Sequence, residues 1–290
     1  MLLSKVTMKK IGTYYTLGDL MKKRIMVLGG DKRNLYLTEY LNTFDFSALW
    51  YAAELCDEEN EYIAKRNYEE DINEFDAVVL PLPLSRDGEH LNCPFCEEKI
   101  SVSQIADKVS GKICFTSGSL IDGINYFDDK CVVIDNARLT AVGFLIELLK
   151  AEKGDIIEKS ALVTGFGNVS KAVCEILKNN KVKVTVAARK NEQRHEAKGL
   201  GYGAVDFSEC EKIFDSFDYI INTVPFELFD TETVMKANKN CIFFELANGL
   251  PEDACQDFFA YINCKGMPGK HTPKSAGKVI ADFIKEKMRE

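Results

Sequence analysis

Residues 161–170 read Ala161-Leu-Val-Thr-Gly165-Phe-Gly167-Asn168-Val169-Ser170, an apolar run ending in the spacing G-x-G-x-x-S. That spacing suits one kind of chemistry, the holding of a pyrophosphate by backbone N–H groups. Gly165 makes the tight turn after a strand, Gly167 lets the phosphates approach the main chain, and Ser170 is small enough for close helix–strand packing. The pyrophosphate then sits at Asn168 and Val169, on a helix N-terminus whose unpaired N–H groups and dipole favour negative charge. A lone glycine pattern is weak evidence, and its context strengthens it. Val169, Ala172, Val173, Ile176 and Leu177 follow at helical spacing, and Lys183-Val-Thr-Val-Ala187 begins a second strand at βαβ distance.

The end of that second strand discriminates between dinucleotides. A site for NAD usually places Asp or Glu there, for the ribose hydroxyls. Here the chain reads Ala187-Ala188-Arg189-Lys190, without an acid. The Arg189 fork can meet a 2′-phosphate and Lys190 adds a point charge, which favours NADP as cofactor. The plainer alternative, in which both cations only open a solvated helix, stays open. Two later strand ends, Asn222-Thr223-Val224-Pro225 and Ala247-Asn248-Gly249, are expected to face the nicotinamide, because ligands of doubly wound folds lie at the carboxyl ends of strands.

The elements that must position these residues alternate between strands and helices. Apolar runs at Arg24–Gly30, Phe46–Ala53, Asp76–Leu84 (broken by Pro81 and Pro83), Lys112–Thr116 and Lys130–Ile134 read as strands. Leu35–Leu41 reads as a helix. Residues 137–153 form a long connecting helix with Leu139, Val142, Ile146 and Leu149 as its apolar stripe and Gly154 as its stop. A last helix starts with Thr272 as N-cap and Pro273 at N1, and carries a stripe of Ala276, Val279, Ile280, Phe283 and Ile284. The pattern predicts an α/β fold of two doubly wound Rossmann-like domains joined by a long helix. Residues 1–20 form an N-terminal extension or a misplaced start, 21–136 an α/β substrate domain, and 137–290 the NADP-binding domain with the connecting and C-terminal helices. The C-terminal helix can pack back against the first domain. That first domain has Gly29-Gly30-Asp31-Lys32-Arg33-Asn34 after its first strand, which lacks the glycine fingerprint.

Composition narrows the class. A chain of 290 residues with 46% hydrophobic and 28% charged residues is ordinary for a globular protein of about two domains. A net charge of −8 argues against nucleic acid as a partner. The absence of a long apolar run argues against a membrane span, and the lack of an apolar leader points to the cytoplasm. The ten cysteines fall mostly in apolar runs, such as Cys114, Cys131, Cys174 and Cys241, and read as small hydrophobes. Cys93-Pro-Phe-Cys96 has no second pair for zinc or redox work, so no metal is expected. His90 and His195 lie in polar segments and read as surface residues.

Read together, these residues resemble the A-subunit of dipicolinate synthase, the sporulation enzyme, over residues 24–285. The resemblance rests on Leu28-Gly-Gly-Asp31-x-Arg33, Leu80-Pro-Leu-Pro-Leu-Ser-Arg-Asp-Gly88, Phe115-Thr-Ser-Gly118, Gly266-Met-Pro-Gly269 and Pro273-Lys-Ser-Ala-Gly277. It implies an NADP-linked oxidation that forms dipicolinate from a dihydro or hydroxytetrahydro precursor, beside the flavoprotein-like B-subunit of dipicolinate synthase. It leaves a homo-oligomer open. A dicarboxylate substrate needs cationic and polar anchors, for which Ser85, Arg86, Ser117, Asn136 and Lys274 are candidates. His271 and Lys274 are the candidates for a catalytic base. Val142, in Thr140-Ala-Val142-Gly143, stands where the family pattern has Glu, and Asn248-Gly-Leu-Pro-Glu252 replaces a basic Pro-Gly-Gly segment. These departures favour one alternative, a divergent or non-catalytic NADP-binding subunit. A generic NADP dehydrogenase of the shikimate or methylenetetrahydrofolate type would need a Lys–Asp pair in the first domain, and none stands out.

Overall fold

The computed structural model describes residues 22–290 and, before them, the backbone of two short antiparallel strands, β1 (Met8–Lys10) and β2 (Thr13–Tyr15). The rest of the expected extension, 1–20, lies outside the described residues. The chain forms two compact units, one running to Val133 and including Pro273–Glu290, the other Ile134–Thr272.

The first unit is built on β3 (Lys23–Leu28), β4 (Phe46–Tyr51), β5 (Ala77–Val79), β6 (Ile113–Thr116) and β7 (Ile124–Asn125). All run parallel, in the order β4-β3-β5-β6-β7. Along β3 the side chains alternate between two cores. Ile25 and Val27 join Leu35, Leu37 and Leu41 of α1 (Lys32–Thr43), whereas Met26 and Leu28 join the cluster under α2 (Tyr68–Asp71) and α3 (Val102–Val109). A strand buried on both faces reads as a continuous apolar run, which is why it was legible in sequence.

A helix, α4 (Lys130–Ala151), begins in this unit and continues into the other. Lys130–Ile134 is therefore its first turn rather than a strand. Asp129 Oδ1 accepts from the N–H groups of Cys131 and Val132, which starts the helix there. The stripe also differs from expectation. Ala137, Ala141, Phe144 and Leu148 are buried, while Val142 and Leu149 are 39% and 56% exposed.

The second unit has β8 (Ser160–Thr164), α5 (Asn168–Asn179), β9 (Lys183–Ala187), α6 (Asn191–Gly199), β10 (Gly203–Val205) and α7 (Phe207–Cys210). It continues with β11 (Tyr219–Asn222), α8 (Thr231–Val234), β12 (Ile242–Glu245), α9 (Glu252–Phe258), β13 (Ala260–Asn263) and α10 (Met267–His271). Its six parallel strands lie in the order β10-β9-β8-β11-β12-β13. In unit numbering this is 3-2-1-4-5-6, the dinucleotide-binding order, with its switch point between β8 and β11.

The last helix, α11 (Pro273–Lys287), leaves this unit and packs on α1, so it belongs with the first unit rather than with 137–272. Ala276, Ile280, Phe283 and Ile284 are buried, as the stripe predicts. The two helices approach closely because Gly277 lacks a side chain, since a Cβ there would lie 2.6 Å from the Arg33 carbonyl oxygen.

Candidate functional site

The glycine segment lies at the switch point of the second unit. β8 ends at Thr164, and Gly165 turns the chain with φ +77° while its N–H donates to the Ala187 carbonyl at 2.8 Å. A Cβ at Gly165 would stand 3.0 Å from Val224 Cγ2 and 3.3 Å from Thr223 Oγ1. Gly167 is the N-cap of α5 and has an extended backbone, and a Cβ there would meet nothing within 4 Å. The two glycines therefore differ. Gly165 is required by the fold, whereas Gly167 keeps the helix end bare. Asn168 is exposed and Val169 half-buried beside it. Ser170 is fully buried and its Oγ donates to the Gly165 carbonyl at 2.7 Å, which is how a hydroxyl is accommodated where the motif usually has glycine.

A buried polar row supports the loops opposite. Thr164, Asn222 and Glu245 are in register at the ends of β8, β11 and β12, with 0%, 0% and 1% exposure. Thr164 Oγ1 donates to Asn222 Oδ1 at 2.6 Å and accepts from the Thr223 N–H at 3.1 Å. Thr223 Oγ1 donates back to the Thr164 carbonyl at 2.6 Å, and the Val224 N–H donates to Asn222 Oδ1 at 3.1 Å. Glu245 accepts from Asn222 Nδ2 and from the N–H groups of Ala247, Gly249 and Leu250. Four donors on one buried carboxylate leave the loops carrying Thr223, Val224, Pro225 and Ala247 little freedom. Sequence reasoning singled out these loops but gave Thr164 and Glu245 no role. The available signal was a polar residue closing each of three otherwise apolar strands.

At the end of β9, Ala187 and Ala188 are fully buried and Arg189 and Lys190 are exposed. Neither cation has an ion pair among the described residues. By contrast, Arg194 is committed to the structure, donating to the carbonyls of Ala188 and Arg189 at 2.7 Å and to Asp206.

The first unit handles its glycine turn differently. Asp31 caps α1 by accepting from the Arg33 N–H, and the Arg33 side chain grips both carboxylate oxygens at 2.8 Å while also donating to the Leu82 carbonyl. An acid thus already occupies the place where a phosphate would bind, which gives a physical reason for the missing fingerprint. The predicted anchors separate there. Ser117 is buried, and its Oγ accepts from the Leu84 N–H at 2.8 Å and donates to the Pro81 carbonyl at 3.2 Å. Ser85 Oγ accepts from the Gly88 N–H and donates to Asp87, so both hydroxyls are spent on turns. Arg86 is exposed, with Nε donating to Asn92 Oδ1 at 3.0 Å. Asn136 lies half-buried on α4 within the second unit.

His271 and Lys274, expected to act together, fall in different units. His271 Nε2 lies 2.5 Å from Glu147 Oε1, which Lys270 Nζ also reaches at 2.8 Å. Burial opposes the charged Glu147, but hydrogen bonds from Lys270 and His271 outweigh it and hold the carboxyl below its ordinary value. The imidazole is thereby engaged in tying α10 to α4. Lys274 is exposed in the first turn of α11.

Cys93 and Cys96 are unlinked, and burial pushes the Cys93 thiol up to about 12. Among the described residues no group of three or more His, Cys, Asp or Glu could hold a metal ion. No helix among them is long and apolar enough to cross a membrane.

Strand order, glycine turn and buried polar row define a pair of doubly wound α/β units, the second with a dinucleotide-binding topology. Residues 24–131 match the family of the dipicolinate synthase A-subunit N-terminal domain. The whole fold is similar to the dipicolinate synthase A-subunit from Bacillus halodurans, with a TM-score of 0.83 and 21% identity, covering 94% of this chain and 100% of that one. The corresponding dipicolinate synthase polypeptide from Bacillus subtilis gives a TM-score of 0.78 at 18% identity, over 94% and 97% of the two chains. An NAD-dependent formate dehydrogenase from Staphylococcus aureus, solved in complex with NAD, follows at 0.52 and 14%, over 92% and 95%. No curated protein matches the sequence. These findings bear out the resemblance to the dipicolinate synthase A-subunit.

Proposed function

We propose that this chain is an NADP-dependent oxidoreductase subunit that forms dipicolinate during sporulation, working in the cytoplasm beside a flavoprotein-like B-subunit. The observation that carries the reading is the bare N-terminus of α5 at Gly167, at the switch point of a sheet with dinucleotide-binding strand order. The residues present fit the cofactor: the end of α5 and Asn168 for the pyrophosphate, Arg189 and Lys190 for the 2′-phosphate, and the Thr223–Pro225 and Ala247 loops for the nicotinamide. Bound there, NADP⁺ supplies a hydride acceptor.

The substrate chemistry is a two-electron aromatisation. The hydroxytetrahydro acid loses water to give the dihydro acid, which then gives up one hydride and one proton to become a pyridine. This chain's own part is to hold two carboxylates, with Arg86 and Lys274 as the cations; both are exposed, and neither has an ion pair among the described residues. A second reading, a nucleotide-binding subunit without turnover of its own, is favoured by Val142, whose side chain can neither accept a proton nor bind a cation.

Dipicolinate absorbs in the ultraviolet, so the test is direct. The chain and its flavoprotein partner, given NADP⁺ and the precursor, are expected to accumulate dipicolinate, with the chain alone as the comparison. If the complete pair makes none and the chain binds no pyridine dicarboxylate, the assignment fails.

A further inference from the structure

Asn92 lies within the first unit, between the turn after β3 and the proline-containing loop after β5. Its N–H donates to the Leu84 carbonyl at 2.8 Å, and its own carbonyl accepts from the Gly30 N–H at 2.9 Å. This fixes it at the carboxyl ends of the two strands that flank the switch point of the sheet order β4-β3-β5-β6-β7. The residue is only 7% exposed. Its Oδ1 accepts from Arg86 Nε at 3.0 Å, while Nδ2 on the same amide has no partner.

A buried amide donor without a partner costs about 1–3 kcal/mol, and such groups in folded proteins are nearly always satisfied. Two buried side-chain atoms are left unpaired among the described residues, Asn92 Nδ2 and Thr116 Oγ1. Thr116 ends β6, and the next residue, Ser117, is bonded to the same Leu84 that holds Asn92. The orphaned groups thus fall at the carboxyl ends of the strands, where ligands of such sheets bind.

The chemistry of the donors defines the ligand. With Nε committed to Asn92, Arg86 still offers the N–H groups of both terminal nitrogens, and Nδ2 adds another donor from a buried, fixed position. Nearby acids do not compete. Asp31 is gripped by Arg33, and Asp87 accepts from the N–H groups of Glu89 and His90 and from the His90 ring. Donors without acceptors, one of them cationic and one already desolvated, match the two oxygens of a carboxylate.

We propose that Arg86 and Asn92 form a carboxylate-binding subsite in the first unit, in which Asn92 holds Arg86 through Oδ1 and contacts the ligand through Nδ2. The identity of the ligand as a pyridine dicarboxylate rests on the function proposed above.

Calorimetric titration of the full chain with pyridine-2,6-dicarboxylate tests the subsite, with NADPH titrated separately. Asn92→Asp keeps the size of the side chain and the acceptor for Arg86 Nε but turns the spare donor into an acceptor. Arg86→Gln removes the charge at an exposed position. Each is expected to weaken dicarboxylate binding roughly ten- to hundred-fold and to leave NADPH affinity unchanged. An Asn92→Asp chain that binds the dicarboxylate as wild type does overturns the proposal. So does a wild type that binds NADPH but no dicarboxylate, an outcome that leaves the cofactor reading standing. Dicarboxylate binding without NADPH binding supports the subsite and instead removes the NADP reading. In a further arm with inorganic phosphate, equal affinity and equal sensitivity to both substitutions would mean a general anion site and overturn the carboxylate assignment. If Asn92→Asp loses its cooperative thermal transition, Arg86→Gln decides the outcome.

Discussion

Asn222 Nδ2 donates to Glu245 Oε1 at 2.8 Å across neighbouring strands, and the two side chains are 0% and 1% exposed. Through this contact the Ala247–Leu250 loop, whose N–H groups end on Glu245, is tied to Asn222, whose Oδ1 accepts from the Val224 N–H. Glu245→Gln would set an NH₂ group against backbone N–H donors that have no other acceptor. Its stability, measured by denaturant melting, should fall by about 2–5 kcal/mol. Thr223→Val, which removes the Oγ1 donor to Thr164, should cost only about 0.5–1.5 kcal/mol.

The glycines of the loop should separate folding from binding. Gly165→Ala places a side chain at φ +77° and 3.0 Å from Val224, so stability should drop by about 1–3 kcal/mol. Gly167→Ala meets no protein atom within 4 Å and should change stability by less than about 1 kcal/mol, yet weaken dinucleotide binding. Thermal melting and NADPH titration of both variants check this. Unchanged NADPH affinity in Gly167→Ala would sink the proposed phosphate site.

Arg189 should set the choice of cofactor. In wild type, NADPH is expected to bind more tightly than NADH. In Arg189→Ala that preference should fall roughly 10- to 150-fold, the equivalent of a charge-assisted contact worth about 1.5–3 kcal/mol. Equal wild-type affinity for the two cofactors, read by calorimetry, would refute NADP selection.

The parts of the fold legible in the sequence were those with a single physical cause. The strands β3, β8, β11 and β12 are apolar because both faces are buried, whereas β9 alternates, with Val184 and Val186 buried and Lys183 exposed; α11 shows a stripe because one of its faces is buried. α4 misled because it is apolar on several sides. In such a helix, an apolar run at its first turn looks like a strand, and Leu139-Val142-Ile146-Leu149 is as regular a stripe as the buried Ala137-Ala141-Phe144-Leu148. The turn after β8 and the start of α5 were legible because glycine at Gly165 supplies the positive φ that such a turn needs. The Asn92–Arg86 and Asn222–Glu245 contacts were not, because they join residues brought together by strand pairing and loop closure. His271 read as a candidate base from its neighbours in sequence, but Glu147, 124 residues away, claims its ring.

The Glu147 cluster should show in acid. A carboxyl held below its ordinary value of 4.5 stabilises the fold at pH values above 4.5, and the contribution is lost as pH falls through the lower folded-state value. Glu147→Gln should therefore be less stable than wild type by about 1.5–3 kcal/mol at pH 7. The gap should narrow steadily in denaturant melts taken below about pH 4.5. A gap that stays constant down to pH 2 would show that its charge contributes nothing.

The return of α11 to α1 bears on how this protein is made. A ribosome must complete Ile134–Thr272 before it can add the helix that covers Leu35, Leu37 and Leu41. At the pace of translation that delay is on the order of ten seconds. During that time the nascent first unit presents an uncovered apolar surface, while the contiguous second unit can already fold. The newborn first unit thus keeps this apolar face open to other chains until its last helix emerges.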